Sequence, residues 1–377
     1  MPAPSPTSTT ASTPSLADGL PPLEVSPGPA RAEPLPGDRP VRWGIVSTGK
    51  IATAFVRNLA LLEECEVAAV GARRQETADA FAGEHGIATA YGDYRALVED
   101  PAVDVVYVAT PHALHKEHVE LALEAGKPVL CEKAFTLTAA DAEQLVAQAR
   151  ERNVFLMEAM WMRCNPVVRR MQQLVASGAV GQVQQVRADL GFVVDRPPTD
   201  RLLDPRLGGG ALLDMGIYPL TFAWLFLGEP ETIAAAAALS EAGVDLNLSL
   251  SLGYGSGAVA ALTSTMTAWS PRTASVSTDR GRIDVPEGFH HPHSFTWTAL
   301  ASDPDLGRHG EPVEVGEQII GTGLAHEALE VVRCLRNGET ESPLVPLEDT
   351  VALMRQMDRI RDLIGVRFDE GGAGQPR

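Results

Sequence analysis

The stretch VRWGIVSTGKIATA, residues 41–54, decides the fold. It opens as a short apolar run, turns at the small residues Ser47-Thr48-Gly49, and continues as the helical pattern IATAFVRNLALLEE. The same alternation repeats downstream. CEVAAVGAR leads into QETADAFAGEHG, and the apolar runs DVVYVAT, PVLCEK and VFLMEAM are separated by HKEHVELALEAG and TAADAEQLVAQARERN. Strands alternating with helices of roughly ten to fifteen residues build βαβ units and a parallel sheet. Gly126 and Asn153 stand just past two of these helices, where left-handed caps belong, and Thr138 with Asp141 makes an N-terminal capping signal.

Outward from this block the rhythm changes on both sides. Residues 1–40 are rich in Pro, Ser, Thr and Ala without hydrophobic period, which predicts a disordered tail; residues 369–377 are expected to fray. After about residue 165 a helix from Pro166 to Ser177 leads to the extended stretch VGQVQQVRADLGFVV. GGGALLDMGIYPLTFAWLFLG then reads as a long apolar helix opened by three glycines. ETIAAAAAL, VDLNLSLSLGY, GAVAALTSTMT, TASVSTDRGRIDV and SFTWTAL are strands in succession, the mark of an antiparallel sheet. Two helices, LAHEALEVVRCLRNG and LEDTVALMRQMDRIRDLIG, close the pattern. The expected architecture is an α/β Rossmann domain over residues 41–163. An α+β C-terminal domain over 164–368 follows, built on an open, mostly antiparallel sheet.

Composition fits two globular domains: 377 residues, 45% hydrophobic and 21% charged. The net charge of -18 argues against nucleic acid, whose phosphates need clustered Lys and Arg. No apolar run is expected to span a membrane, which takes about 20 residues, and no charged-then-apolar leader opens the chain. A cytoplasmic location is the resulting expectation. Cys65, Cys131, Cys164 and Cys334 lack a metal-type spacing and read as buried thiols.

The turn Ser47-Thr48-Gly49-Lys50-Ile51-Ala52 sits where a dinucleotide fingerprint would place G-x-G-x-x-G or G-x-G-x-x-A. Gly49 matches the position that lets backbone approach a pyrophosphate, and Ala52 permits close helix packing. Ser47 replaces the first glycine. The second strand ends Gly71-Ala72-Arg73-Arg74, without the acidic residue that would accept a ribose 2′-hydroxyl. Arg73 and Arg74 instead suit a 2′-phosphate, so NADP is expected, with NAD possible. Thr110-Pro111-His112 and Glu132-Lys133 end later strands and should border the nicotinamide. His112, His115 and His118 are spread too widely around a helix to converge on one metal ion. No metal role is expected for them, nor for Phe289-His290-His291-Pro292-His293.

These residues resemble the Gfo/Idh/MocA family of nucleotide-dependent oxidoreductases. WGIVSTGKIA, AYGDYRALVEDPAVDVVYVATPHALH, AGKPVLCEKAFTL and GGGALLDMGIYPL carry the likeness over about residues 41–368. The branch it is most similar to holds dimeric dihydrodiol dehydrogenases and NADP-dependent D-xylose dehydrogenases. The resemblance implies a role for Lys133 of the motif Glu132-Lys133-Ala134, in which alanine replaces the family's proline. It also implies roles for Asp214 and Tyr218, four residues apart on a helix. His115 joins the cofactor residues.

The implied reaction is hydride transfer between the nicotinamide and a carbinol carbon of a sugar, polyol or trans-dihydrodiol. Tyr218 would be the acid/base, Lys133 its electrostatic partner, and Asp214 a ligand of substrate or lysine. Lys133 as the base itself stays open, because burial lowers a lysine pKa. Trp161, Arg163, Phe192 and Asp195 are candidate pocket residues. Three rivals stand beside this reading: an NAD-dependent glycosidase of the same fold, a non-catalytic sensor, and a structural or scaffolding role. Self-association as a homodimer or homotetramer through the C-terminal sheet is expected.

Overall fold

The computed structural model describes residues 21–300 and 309–368. Its first sheet is built from β1 (Val41–Val46), β2 (Cys65–Gly71), β3 (Thr89–Tyr91), β4 (Val105–Val108), β5 (Val129–Glu132) and β6 (Leu156–Ala159). Between them lie α1 (Lys50–Leu59), α2 (Gln75–His85), α3 (Tyr94–Glu99), α4 (His115–Glu124) and α5 (Ala139–Arg152). The strands run parallel in the order β3-β2-β1-β4-β5-β6. Every residue of β4, β5 and β6 is buried, as happens when helices cover both faces of a parallel sheet. Strand order reverses at β1, so a crevice opens at the carboxyl ends of β1 and β4, where ligands of such sheets bind. Thr138 accepts the Asp141 N–H, and Asn153 closes α5 at φ 53°, both as the sequence predicts.

α6 (Trp161–Cys164) and α7 (Pro166–Ala176) lead to β7 (Val183–Gly191) and α8 (Ile217–Leu227). The rest of the second sheet is β8 (Thr232–Leu239), β9 (Asp245–Gly253), β10 (Val259–Thr265), β11 (Ala274–Thr278), β12 (Gly281–Val285), β13 (Ser294–Ala299) and β14 (Val313–Gly316). Its order is β14-β13-β12-β11-β7-β10-β9-β8, antiparallel except for the parallel pair β7 and β10. One face is apolar: Val186, Leu190, Leu248, Leu250, Leu252 and Leu262 are buried, on the side where α8 packs against β7 and β10. Alternate residues point the other way, and Ala234, Ala236, Ala238, Ser249, Ser251, Val259 and Ala261 are exposed. A period of two thus sorts this sheet into a core side and an open side.

Three expectations need correcting. Residues 21–40, read as disordered tail, run along the protein: Arg31 and Ala32 N–H donate to Gly338 O, Leu35 N–H to Leu335 O, and Pro29 O accepts from Thr340 N–H. Backbone pairing holds this segment where hydrophobic periodicity gave no signal; residues 1–20 and 369–377 lie outside the described residues. Second, the helical stretch Pro205–Leu227 is long and apolar enough, at a mean hydropathy of 1.4, to cross a membrane. It is instead 78% buried inside the protein as a core helix. Third, the chain past residue 164 does not stay with the second sheet. α9 (Leu324–Arg336) packs on α1, and α10 (Leu347–Ile364) on α5 as well as on β8.

The end of the 21–40 segment is pinned by charge. Asp104 receives the Arg39 guanidinium, the Arg42 guanidinium at 2.9 Å and the Arg42 N–H at 2.9 Å. Burial works against its charge, but the two arginines outweigh it and hold its pKa at about 2. A depressed carboxyl stabilises above its unfolded pKa and loses that contribution as pH falls through the folded value. Both arginines are about a third exposed, so solvent discounts the gain. Asp104→Asn should lower stability at pH 7 by about 1–2 kcal/mol. Thermal unfolding across a pH series should show the gap closing as pH falls from about 4 to 2.

Candidate active site

The crevice is lined first by the β1–α1 turn. Ser47 adopts φ 98°, a left-handed conformation that favours glycine, which explains why the fingerprint places glycine there. Gly49 is the N-cap of the ten-residue α1, and no side chain caps that helix or brings an acid to its first turn. Its leading N–H groups are therefore free to bind a pyrophosphate. Lys50 and Ile51 are exposed beside the turn and Thr48 is half-buried. Arg73 and Arg74 are exposed at the end of β2, and neither is paired with a carboxylate among the described residues. This cradle fits a dinucleotide.

At the next strand ends, the histidines hold backbone. His112 lies between Gly208 O at 3.0 Å and Lys133 O at 3.2 Å. His115, wholly buried, lies between Ala134 O at 2.9 Å and Thr110 O at 2.8 Å. Burial, and for His112 the nearby His115, lowers their pKa values to about 3 and about 4, so both rings are neutral. The structure thus gives His115 to the Lys133-Ala134-Phe135 turn, and its ring is too buried to meet a ligand. The Lys133–Ala134 peptide is cis. His118 bonds Thr110 Oγ1 at 3.1 Å and packs edge-on against Tyr94. Pro111 is half-buried and Thr110 buried beside it.

Lys133, at the end of β5, reaches across to the second domain. Its Nζ donates to Asp214 O at 2.6 Å and stands 3.6 Å from Asp214 Oδ1. It also lies 4.8 Å from the centroid of the Tyr218 ring. The residues between, Leu212–Gly216, wind as a π-turn before α8, a local widening that the sequence pattern did not reveal. Such turns are frequent at functional sites. Arg201, half exposed, donates to Asp214 Oδ1 at 3.1 Å. Burial opposes the Asp214 charge, but Lys133 and Arg201 hold its carboxyl well below the usual range. Burial and then Glu132 push the Tyr218 phenol well above 10, opposed by Trp161, whose Nε1–H donates to the phenol oxygen at 2.7 Å.

The candidate pocket residues separate. Trp161 belongs to the site. Arg163 is buried, with Nε on Leu344 O at 2.8 Å and its other end on Asp349, so it ties α6 to the start of α10. Its Nε and Nη2 are thereby taken up by the protein itself. Phe192 and Asp195 lie exposed on the segment leaving β7, outside the Lys133–Asp214–Tyr218 contacts. His290 and Arg201 were missed. The His290 ring lies 4.8 Å from that of Tyr218 and 6.0 Å from that of Trp161, and its Nδ1 is buried without a partner among the described residues. The cluster Phe289-His290-His291 carried the signal, but testing it only for metal spacing overlooked an aromatic wall.

Beneath Lys133 lie three buried carboxyls. Glu132 accepts from Tyr107 OH and, at 3.2 Å, from the Lys133 N–H. Glu158 accepts from the Phe135 N–H and Thr350 Oγ1, and burial lifts it to about 7. Glu327, fully buried on α9, has no partner for either oxygen among the described residues.

Known proteins give the same picture. Residues 41–160 match the oxidoreductase family with the NAD-binding Rossmann fold, GFO/IDH/MocA, and residues 168–284 match the GFO/IDH/MocA C-terminal domain. The chain belongs to this family. Trans-1,2-dihydrobenzene-1,2-diol dehydrogenase of Xenopus tropicalis is 38% identical over 331 residues, 87% of this chain and 99% of that protein. The human protein of the same name is 38% identical over 334 residues, 88% of this chain and 98% of its own. Among solved structures, KijD10, a 3-ketoreductase from Actinomadura kijaniata in complex with NADP and TDP-benzene, superposes with a TM-score of 0.76. It is 28% identical and covers 86% of this chain and 98% of its own. The aldose-aldose oxidoreductase of Caulobacter crescentus, complexed with glycerol, also gives 0.76, at 26% identity over 86% of this chain and 97% of its own. This family member is a dehydrogenase acting on CH–OH groups with a nicotinamide dinucleotide.

Glu327 yields a test independent of turnover. Burial and the neighbouring Glu132 raise its pKa well above the ordinary value, so it is held as the neutral acid. A carboxyl whose folded pKa is raised binds more protons in the native state, so its contribution falls as pH climbs from the unfolded value toward the folded one. Glu327→Gln mimics the neutral acid and should remove that decline. Thermal unfolding at pH 5 and pH 8 should show the variant gaining on wild type at the higher pH. A gain at pH 5 instead would mean the carboxyl is charged.

Proposed function

We propose that the protein is an NADP-preferring oxidoreductase that moves a hydride between the nicotinamide and a carbinol carbon of a sugar, polyol or trans-dihydrodiol. Tyr218 is the acid/base and Lys133 its electrostatic partner. The observation that carries this reading is the convergence of Lys133, Asp214 and Tyr218 at the carboxyl end of β5, beside the cofactor crevice. The dihydrodiol dehydrogenase and ketoreductase names of the relatives support the substrate class. Arg73 and Arg74, exposed and without a carboxylate partner among the described residues, and the NADP bound to KijD10 support the cofactor preference.

Once bound, the nicotinamide supplies or accepts the hydride. The chain's own residues handle the proton. In reduction, the Tyr218 O–H donates to the carbonyl oxygen as the carbon gains hydride; in oxidation, the phenolate takes the proton of the carbinol. The raised phenol pKa keeps the resting side chain as the donor. As phenolate charge develops, the Lys133 ammonium over the ring and the Trp161 N–H on its oxygen stabilise it. Asp214 holds the ammonium in place through its carbonyl and carboxylate. The rings of Tyr218, His290 and Trp161 form a wall suited to the C–H face of a cyclic substrate.

Tyr218→Phe should lower kcat by about 10²–10⁴-fold while NADPH binding, read by its fluorescence, is unchanged. Arg73→Ala should raise KM for NADP about tenfold and leave that for NAD in place, as initial rates would report. A sensor would show neither dependence, and a preference for NAD in wild type would sink the assignment of Arg73.

The protein pairs with itself across the open side of the second sheet. Ala234, Ala236, Ser249, Ser251 and Ala261 present a flat surface of small side chains on adjacent paired strands, which lets a second sheet approach closely. Ala236→Arg should convert the dimer or tetramer to monomer, as light scattering after gel filtration would show. An unchanged mass would place the interface elsewhere.

A further inference from the structure

Asp214 and Tyr218 ride on one helical run, and that run is gripped from the second sheet. It is entered through Gly208-Gly209-Gly210, and its leading residue Ala211 makes no side-chain capping bond. The first N–H groups of a helix have no partner within it. Here one is met from 33 residues downstream: Asp245, the first residue of β9 and only 2% exposed, accepts the Leu212 N–H on Oδ2 at 2.7 Å. Its other oxygen faces Gly210, at φ 138°, where an added Cβ would stand 2.2 Å from Oδ1. A turn further on, a Cβ on Gly216 would stand 3.2 Å from Ser264 Oγ of β10. The run is therefore clasped at its start by β9 and pressed along its back by β10, with no room to slide. Asp214 follows Leu212 by two residues and Tyr218 by six, so any shift of the start is passed to both.

We infer that Asp245 is a positioning residue for the reaction. Its carboxylate sets the height and rotation of the helical run so that Asp214 and Tyr218 meet Lys133, which is carried by the other domain. This rests on the roles of Tyr218 and Lys133 proposed above. Asp245 itself bonds none of the three among the described hydrogen bonds. Its effect is on their geometry, and displacements of an ångström at reacting groups cost large factors in rate.

The test compares the full-length wild type with Asp245→Ala, Asp245→Asn and Gly210→Ala. In Asp245→Ala, kcat should fall about tenfold or more while the Kd for NADPH changes less than about twofold, because the cofactor cradle lies on the first sheet. Asparagine keeps an acceptor oxygen for the Leu212 N–H and should restore much of kcat. Gly210→Ala pushes on the same carboxylate and should reproduce the alanine variant. An unchanged kcat in folded Asp245→Ala overturns the inference, and so does a kcat loss matched by equal loss of NADPH affinity. Hydrogen exchange over residues 211–218 reads the same grip without turnover. Asp245→Ala should accelerate it about tenfold while the β1–α1 segment stays protected, and unchanged protection overturns the inference. If wild type binds NADPH yet turns over no sugar, polyol or dihydrodiol, the functional reading fails, and the exchange result alone decides whether Asp245 holds the run.

Discussion

Lys133 leaves the parallel sheet at the end of β5, and Asp214 arrives from a helical run anchored to the other sheet. Their contact, 2.6 Å to the carbonyl and 3.6 Å to the carboxylate, joins the two halves where the proposed chemistry takes place. Both side chains are largely buried, so each depends on the other. Removing the Asp214 carboxylate would take the nearest counter-charge from the buried Lys133 ammonium, at a cost of up to about 3–5 kcal/mol, whereas Asp214 without Lys133 would still be met by Arg201. The same boundary is filled by His112, whose neutral ring lies between Gly208 O of the second domain and Lys133 O of the first and can donate its single N–H to one of them. Domain closure and assembly of the site are thus one event. A second sheet that docked out of register would leave Lys133, Asp214 and His112 unsatisfied together.

Around that contact the balance of charge is tilted toward acid. Glu132, Glu158 and Glu327 are buried under the Lys133 turn, while Lys133 and Arg201 are the cations that touch Asp214. Burying several full negative charges together is far more costly than burying neutral acids. Glu327 and Glu158 are pushed toward their protonated forms, while Asp214, beside two cations, keeps its charge. The result is a fixed division of labour among chemically similar groups. The carboxylate that stays ionised is the one that holds the lysine, and burial beside Glu132 keeps the nearby phenol protonated at rest.

Much of this was legible in the sequence, and the reasons are specific. The parallel sheet followed from apolar runs alternating with amphipathic helices, and the uncapped strand–helix turn at its switch point from the Ser47–Ala52 stretch. Lys133, Asp214 and Tyr218 emerged from motif likeness, since nothing in their spacing reveals that residues 81 positions apart will touch. Apart from His290, what escaped had no local signal. Residues 21–40 are ordered by backbone hydrogen bonds, which any composition can make. Arg163 looked like a pocket cation because a lone arginine near an aromatic cluster does not reveal its partners on a helix almost 200 residues away. His115 sits in a cofactor motif yet serves the backbone of the next turn, a role visible only once two carbonyls converge on it.

The parts of the site also differ in how firmly the fold holds them. The cofactor cradle is made by backbone at a strand–helix turn, and the Lys133–Asp214–Tyr218 group by buried contacts between two sheets. Both are tied directly into the elements that make the fold. The wall around Tyr218 is different: His290 and His291 come from the connection between β12 and β13, and Arg201 from the connection between β7 and α8. Connecting segments accept substitution at little cost to the core. One scaffold can therefore carry a dihydrodiol dehydrogenase, a 3-ketoreductase and an aldose-aldose oxidoreductase, the names borne by this chain's relatives. In this chain the neutral His290 ring, whose buried Nδ1 has no partner among the described residues, stands against Tyr218, where such a difference would be written.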